Sequence, residues 1–443
     1  MSVNRRPVEQ LFLWLYQFGM NTFFPMALLV LLPVLVFERK WRSTTWPRLG
    51  FQEFPQRPGP QGRKVLWIHA LSVGEIMSAV PLIKALYTGI KPAKLHLSVS
   101  TKSGYEMART RLEGFYDGLI YFPFDLLFSV HRAFAKVAPS LFVLVETDIW
   151  PGFMAKLGRR HIPGFMINGR LSPSTLKRYA LAKPIFSPAL NTFHRIYPQS
   201  SLDSSSFRKL GVLPEKLAEP GNLKFDAALL SLSPEQSEEV KVKLPPETAQ
   251  RTLVAGSTHE GEEALLRTVF LQLRQKMPTL KLIVVPRHPH RAEEVYRLFA
   301  QDKLRVTYYS MLPQKDFDVV VVDAFGVLGS LYAFGEVTYV GGSLVPKGGQ
   351  NPIEPAAAGK PVLFGPDMRD FSDVSNLLTS QGGGIRVHSG EELAEQCDRL
   401  FSDRGLAARL GEMNKALVEA HRGSTDRLAE EILEAFEKTG KTT

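Results

Sequence analysis

The stretch KVLWIHALSVGEI, residues 64–76, decides how this chain is read. Lys64–His69 places Val, Leu, Trp and Ile in succession, the mark of a strand covered on both faces. Small residues and a carboxylate, Glu75, follow where a helical pattern begins. A dinucleotide-binding turn needs GxGxxG at this place, and that pattern is absent. Glu75 stands where a general base can reach a substrate hydroxyl. An acidic residue is also favoured at a helix start by the peptide dipoles alone, so both roles stay open on local context.

Outward from this turn, apolar runs alternate with helix-length segments at Lys94–Val99, Leu141–Glu146 and Gly164–Asn168. After a polar, proline-bearing joint, Ser231–Gln250, the pattern restarts. Its runs are Thr252–Gly256, Leu280–Val285, Phe317–Asp323, Val337–Gly341 and Pro361–Phe364. The expected fold is α/β, with two Rossmann-like doubly wound domains that present ligand sites at strand carboxyl ends towards an interdomain cleft. The expected boundaries are residues 63–230 and 250–425, with amphipathic helices over about Glu391–Lys438. A length of 443 residues suits two or three domains at roughly 100–200 residues each.

Composition narrows the function classes. Hydrophobic residues at 44% and charged residues at 22% exclude a mainly disordered chain. The single cysteine, Cys397, excludes an intramolecular disulfide and cysteine-cluster metal sites. The net charge of +10 is concentrated: residues 38–64 hold Arg39, Lys40, Arg42, Arg48, Arg57, Arg63 and Lys64 against Glu38 and Glu53. Just before them, from Gln10 to Phe37, the only ionisable side chain is Tyr16. A basic segment abutting an apolar one points to an anionic membrane surface rather than to nucleic acid. Residues 1–45 are therefore expected to be a membrane anchor, crossing or deeply inserted, although Asn21, Pro25 and Pro33 interrupt the run. The positive flank puts the body of the chain on the cytoplasmic side.

Further chemistry-bearing residues stand at strand ends. Glu146 closes one apolar strand, where an ionised carboxylate is costly unless partnered. Lys224, in GNLKFD (221–226), can neutralise a developing negative charge, though most lysines are simply solvated. GSTHE (256–260) precedes a helix whose N–H groups suit an anion. Arg287 and His288 follow another strand. GGSLVPKGGQNPIEP (341–355) joins a glycine loop to a helix start bearing Asn351 and Glu354. No metal-ligand spacing is evident.

Together these motifs resemble the 3-deoxy-D-manno-octulosonic acid (Kdo) transferases of lipopolysaccharide assembly. The resemblance rests on HALSVGEI (69–76), PFD (123–125), ETDIWP (146–151), NGRLS (168–172), GNLKFD, GSTHEGEE (256–263), VPRHPHR (285–291) and the 341–366 stretch. It implies a GT-B architecture, an N-terminal acceptor domain and a C-terminal donor domain. It implies inverting, metal-independent transfer of Kdo from CMP-Kdo to a lipid A precursor at the cytoplasmic face of a bacterial inner membrane. No cofactor is expected beyond the donor substrate. By the same resemblance Glu75 is the base, and Glu146 and Lys224 stabilise the transition state. Arg287, His288, the Gly326-Val327-Leu328 segment and Asn351, Pro352, Ile353 and Glu354 hold the CMP moiety. The chain departs from that family's usual pattern at Val327, Gln350 and Gly152, where an acidic residue, His and Asn are usual, and at Ser103-Gly104, in place of Thr-Gly. The alternatives are another GT-B sugar-nucleotide enzyme and a degenerate membrane-tethered binding module.

Overall fold

The computed structural model describes residues 7–30, 39–55, 64–219, 221–230, 234–244, 251–313 and 317–439. The end of the apolar run at 31–38, most of the Pro/Gly connector and Pro245–Pro246 lie outside the described residues. The chain forms two compact units, Met1–Ala227 with Gly423–Thr443, and Ala228–Arg422.

The first unit is built on a six-stranded parallel sheet. Its strands are β1 (Val65–His69), β2 (Lys94–Val99), β3 (Gly118–Tyr121), β4 (Leu141–Val145), β5 (Gly164–Gly169) and β6 (Arg195–Pro198). They run in the order β3-β2-β1-β4-β5-β6, the doubly wound arrangement whose strand order reverses between β1 and β4. Both central strands are buried along their whole length because each face carries its own core. Leu66 and Ile68 enter one core, and Val65 and Trp67 the other. Trp67 anchors the second, with Phe122, Phe134, Phe142 and Phe153 ring centroids 5.3 to 5.9 Å away. The last helix, Ser424–Lys438, returns to the first core with Leu428, Ile432 and Phe436. Asp226 fixes that return by accepting from the Gly423 and Thr425 N–H groups at 2.9 and 2.7 Å.

The second unit carries a seven-stranded parallel sheet. Its strands are β7 (Thr252–Thr258), β8 (Lys281–Pro286), β9 (Val306–Tyr308), β10 (Val319–Val321), β11 (Val337–Val340), β12 (Val362–Phe364) and β13 (Gly384–Arg386). Their order, β13-β12-β11-β7-β8-β10-β9, reverses between β11 and β7. The joint expected over Ser231–Gln250 contains a helix, Pro234–Lys243, that the proline count obscures. Val240 and Leu244, four residues apart on one helical stripe, bury it against the second unit's core.

The Pro7–Val30 helix packs on the first unit with Leu13 buried and Phe24 against Phe124, ring centroids 4.9 Å apart. Leu11, Trp14, Leu15, Phe18 and Met26 are left about half exposed on it. Among the described residues no helix is long and apolar enough to cross a membrane.

Removing the Trp67 side chain empties the centre of an aromatic cluster and takes away the indole N–H that the Ser98 hydroxyl accepts at 2.8 Å. Trp67→Ala should destabilise the first unit by about 3–5 kcal/mol. Urea unfolding followed by circular dichroism checks this, and a loss below about 1 kcal/mol contradicts the packing described.

Candidate active site

Glu75 leaves the carboxyl end of β1 in the first turn of the Val73–Gly89 helix, and Glu146 leaves the end of the neighbouring β4. Both therefore stand where the strand order reverses, the place at which open parallel sheets form ligand crevices. Glu146 holds a left-handed backbone, φ +61°, as does Asn168 at the end of β5, φ +55°. Asparagine tolerates that region, but Glu146 is strained there, and such strain gathers at functional sites. Hydrogen bonds hold the turn in place. The Glu146 N–H donates to the Ile167 carbonyl at 2.8 Å, and the Arg170 N–H to the Thr147 hydroxyl at 3.0 Å.

Glu75 is buried, 6% exposed. Burial first, and then the nearby charges of Glu146 and Asp148, push its pKa up to about 9. The Leu71 N–H and the Ser72 hydroxyl donate to the carboxylate and oppose that shift. Glu146 has a cationic neighbour, Lys224 Nζ, 4.0 Å from its Oε1. Lys224 is placed by a buried amide network. Asn222 Oδ1 accepts from the Lys224 N–H at 3.0 Å and from Gln199 Nε2 at 3.3 Å, and Gln199 Nε2 also lies 3.3 Å from Asn168 Oδ1. The Asn168 Nδ2 group is buried with no protein partner among the described residues.

Residues that the motifs did not single out complete this site. His69, fully buried at the end of β1, stacks on Phe122 and faces Asp148, Nε2 to Oδ2 3.2 Å. Its Nδ1 lies 3.1 Å from the Ser98 hydroxyl, so both ring nitrogens are satisfied. Burial works against ionisation of Asp148, but the hydrogen bond and charge of His69, with Arg48 nearby, hold its pKa below the usual value. Arg48 itself donates Nε–H to the Phe122 carbonyl at 3.1 Å and lies over the Phe124 ring at 4.3 Å. His69 and Asp148 stood inside quoted motifs, but only the fold shows that they meet across β1 and β4.

In the second unit the motif residues gather at the ends of β7, β8 and β11. Ser257 takes a left-handed backbone, φ +54°. Glu262 is fully buried beneath the glycine loop and accepts from the Gly342, Ser343 and Leu344 N–H groups at 2.7 to 3.1 Å and from the Tyr339 hydroxyl at 2.7 Å. A Cβ on Gly341 would come within 2.5 Å of the Ser257 carbonyl oxygen, which is why the loop must begin on glycine. Asn351 caps the next helix by accepting from the Ile353 N–H at 3.0 Å, and it donates to Glu354 Oε1 at 3.2 Å. Burial raises the pKa of Glu354, while Asn351 and the charge of Arg287 oppose the rise. Arg287 and His288 are exposed at the end of β8. Burial and then the cations Arg287, His290 and Arg291 lower the His288 pKa. Gln350 Nε2 lies 3.3 Å from His259 Nε2, so it takes part in the same cluster.

The segment after β10 is divided. Gly326 is exposed with φ +86°, and Leu328 lies against Gly256. Val327 is buried in the core beside Leu331, leaving only its backbone for a ligand. Pro352 and Ile353 are buried and shape the helix start. Among the described residues no group of three or more His, Cys, Asp or Glu side chains is disposed to hold a metal ion.

Comparison with known proteins gives these sites a family. A family described as "3-Deoxy-D-manno-octulosonic-acid transferase (kdotransferase)" matches residues 44–227. The chain is 31% identical over 395 residues to a 3-deoxy-D-manno-octulosonic acid transferase of Haemophilus influenzae, covering 88% of this chain and 90% of that protein. It is 28% identical over 383 residues to the Bordetella pertussis protein of the same description, covering 84% and 87%. Among solved structures, a UDP-GlcNAc 2-epimerase from Neisseria meningitidis has a TM-score of 0.59 at 15% identity, covering 84% of this chain and 100% of that one. A glycosyltransferase from Rickettsia africae has a TM-score of 0.53 at 15% identity, covering 86% and 100%. These structures share the α/β fold with parallel sheets. With nearly its full length aligned to the Haemophilus protein at 31% identity, the chain belongs to the 3-deoxy-D-manno-octulosonic acid transferase family of glycosyltransferases.

Proposed function

We propose that this protein transfers Kdo from CMP-Kdo to a lipid A precursor, with Glu75 as the general base. The observation that carries the assignment is the environment of Glu75, buried beside Glu146 and Asp148 with its pKa pushed well above the usual range. A carboxylate of raised basicity is suited to accept a proton as an alcohol attacks. The acceptor hydroxyl oxygen bonds to the anomeric carbon of Kdo while the bond from that carbon to the CMP phosphate breaks. The hydroxyl proton passes to Glu75, and the electron pair departs on the phosphate, so attack from the opposite face inverts the anomeric centre. Lys224, kept beside Glu146, offsets charge in the transition state. The leaving CMP is received by Arg287 and His288, by the Gly326–Leu328 backbone and by the Asn351–Glu354 turn.

Cations and helix N–H groups can absorb the charge that a metal carries in other transferases, so the proposed reaction is metal-independent. The exposed Leu11, Trp14, Phe18 and Met26 would lie in the interface of an anionic membrane, at the cytoplasmic face of the inner membrane. Such a pose suits an acceptor that itself resides in the bilayer.

Incubation of the purified protein with CMP-Kdo and a tetra-acylated lipid A precursor, followed by mass spectrometry, should show the acceptor heavier by whole Kdo residues. Failure to extend it, or preferential use of a UDP- or GDP-sugar, overturns the reading. Glu75→Gln should lower turnover by about a thousandfold or more while CMP binding by calorimetry stays close to the parent value. Near-parental turnover in that variant removes Glu75 from the role of base. A divalent chelator should leave the rate unchanged, and activity restored only by added metal contradicts the metal-independent route.

A further inference from the structure

The PFD motif at 123–125 carries a carboxylate that the reaction does not use. Asp125 is 2% exposed. Its Oδ2 accepts from the Gly152 N–H at 2.7 Å and its Oδ1 from the Phe153 N–H at 2.6 Å. These groups open the Pro151–Arg159 helix, whose N-cap position is Trp150, a side chain that makes no capping bond. Asp125 therefore supplies from a distant loop the cap that the local sequence lacks. The third bond to this carboxylate comes from the N-terminal helix: the Tyr16 hydroxyl donates to Oδ2 at 2.9 Å.

Neighbouring contacts hold Tyr16 in place. Asn21, on the same helix, accepts from the Leu127 N–H at 2.9 Å and donates to the Gln17 carbonyl at 2.7 Å. With Phe24 on Phe124, the helix grips both sides of the turn that carries Asp125. Position 152 is matched to this arrangement. A Cβ there would lie 2.7 Å from Asp125 Oδ1, so the carboxylate can sit over the helix start because the residue is glycine. An Asn at this position would have no room beside the carboxylate.

We propose that Tyr16 is a positioning residue for transfer: through Asp125 it fixes the start of the Pro151–Arg159 helix, and with it the preceding turn that carries Glu146 and Asp148. The inference rests on the reading of Glu75 as base, because those two carboxylates face Glu75. It also links the helix proposed to meet the membrane to the geometry of the reacting centre. Burial already opposes ionisation of Asp125, and the Tyr16 hydroxyl is one of three donors that counter it. Without that donor the carboxylate is more readily protonated, its cap weakens, and the turn gains freedom to move away from Glu75.

The test uses the full chain with Tyr16→Phe, a change that removes one oxygen and keeps the ring. The titration of Glu75 is followed by carboxyl carbon NMR, which requires no turnover. Its midpoint should fall below the parent's value of about 9, because Glu146 and Asp148 recede while the Leu71 N–H and Ser72 hydroxyl on its own turn remain. In the same variant kcat should drop about tenfold, with the KM for CMP-Kdo unchanged. Asp125→Asn should behave alike, and the double variant should be no worse than Asp125→Asn alone. A folded Tyr16→Phe protein with an unmoved Glu75 titration overturns the proposal, even if its melting temperature falls. If the parent transfers no Kdo, the reading of function fails, while the NMR titration still decides whether Tyr16 positions the turn.

Discussion

The site depends on one unfavourable juxtaposition, the buried carboxylate of Glu75 held beside Glu146 and Asp148. In water the three would separate and ionise freely. Here the parallel pairing of β1 with β4 fixes where two of their turns begin, so the groups cannot relax apart. The remaining contacts make that arrangement tolerable. Lys224 accompanies Glu146, His69 accompanies Asp148, and the Leu71 N–H and Ser72 hydroxyl leave Glu75 partly satisfied. A group strained in this way holds its proton more tightly than an ordinary carboxylate, which is the property that a base for an alcohol requires.

The second unit handles charge in the opposite sense. Its buried Glu262 is consumed by four backbone N–H groups, those of His259, Gly342, Ser343 and Leu344, and by the Tyr339 hydroxyl, so it shapes the glycine loop. Arg287, His288 and His290 stand exposed at the end of β8, the two imidazoles stacked, where their N–H groups can donate to an anionic ligand. Val327 and Gln350 differ in placement. Val327 turns into the core, whereas Gln350 makes a polar contact to His259.

Legibility in the sequence followed burial. Each strand expected from an apolar run exists, and each lies inside its sheet because both faces there must be apolar. The four strands without such a run, β3, β6, β9 and β13, are the sheet edges. They span three or four residues, and β3, β9 and β13 are only partly buried, so no continuous run marks them. The helix at Pro234–Lys243 was hidden by prolines at its boundaries. Among candidate site residues, motif resemblance singled out Glu75, Glu146 and Lys224, and the structure brings Lys224 beside Glu146. The partnership of His69 with Asp148 spans 79 positions, and that of Tyr16 with Asp125 spans 109, so neither leaves a local pattern.

The pH dependence of kcat/KM probes the central constraint most directly. If Glu75 must lose its proton before transfer, the rate should climb roughly tenfold per pH unit through neutrality and level off near the raised value of about 9. Glu146→Gln should move that limb to lower pH by removing a repelling charge, whatever it does to the maximum. A profile flat through neutrality, or a limb unmoved by Glu146→Gln, would contradict a base poised by its neighbouring carboxylates.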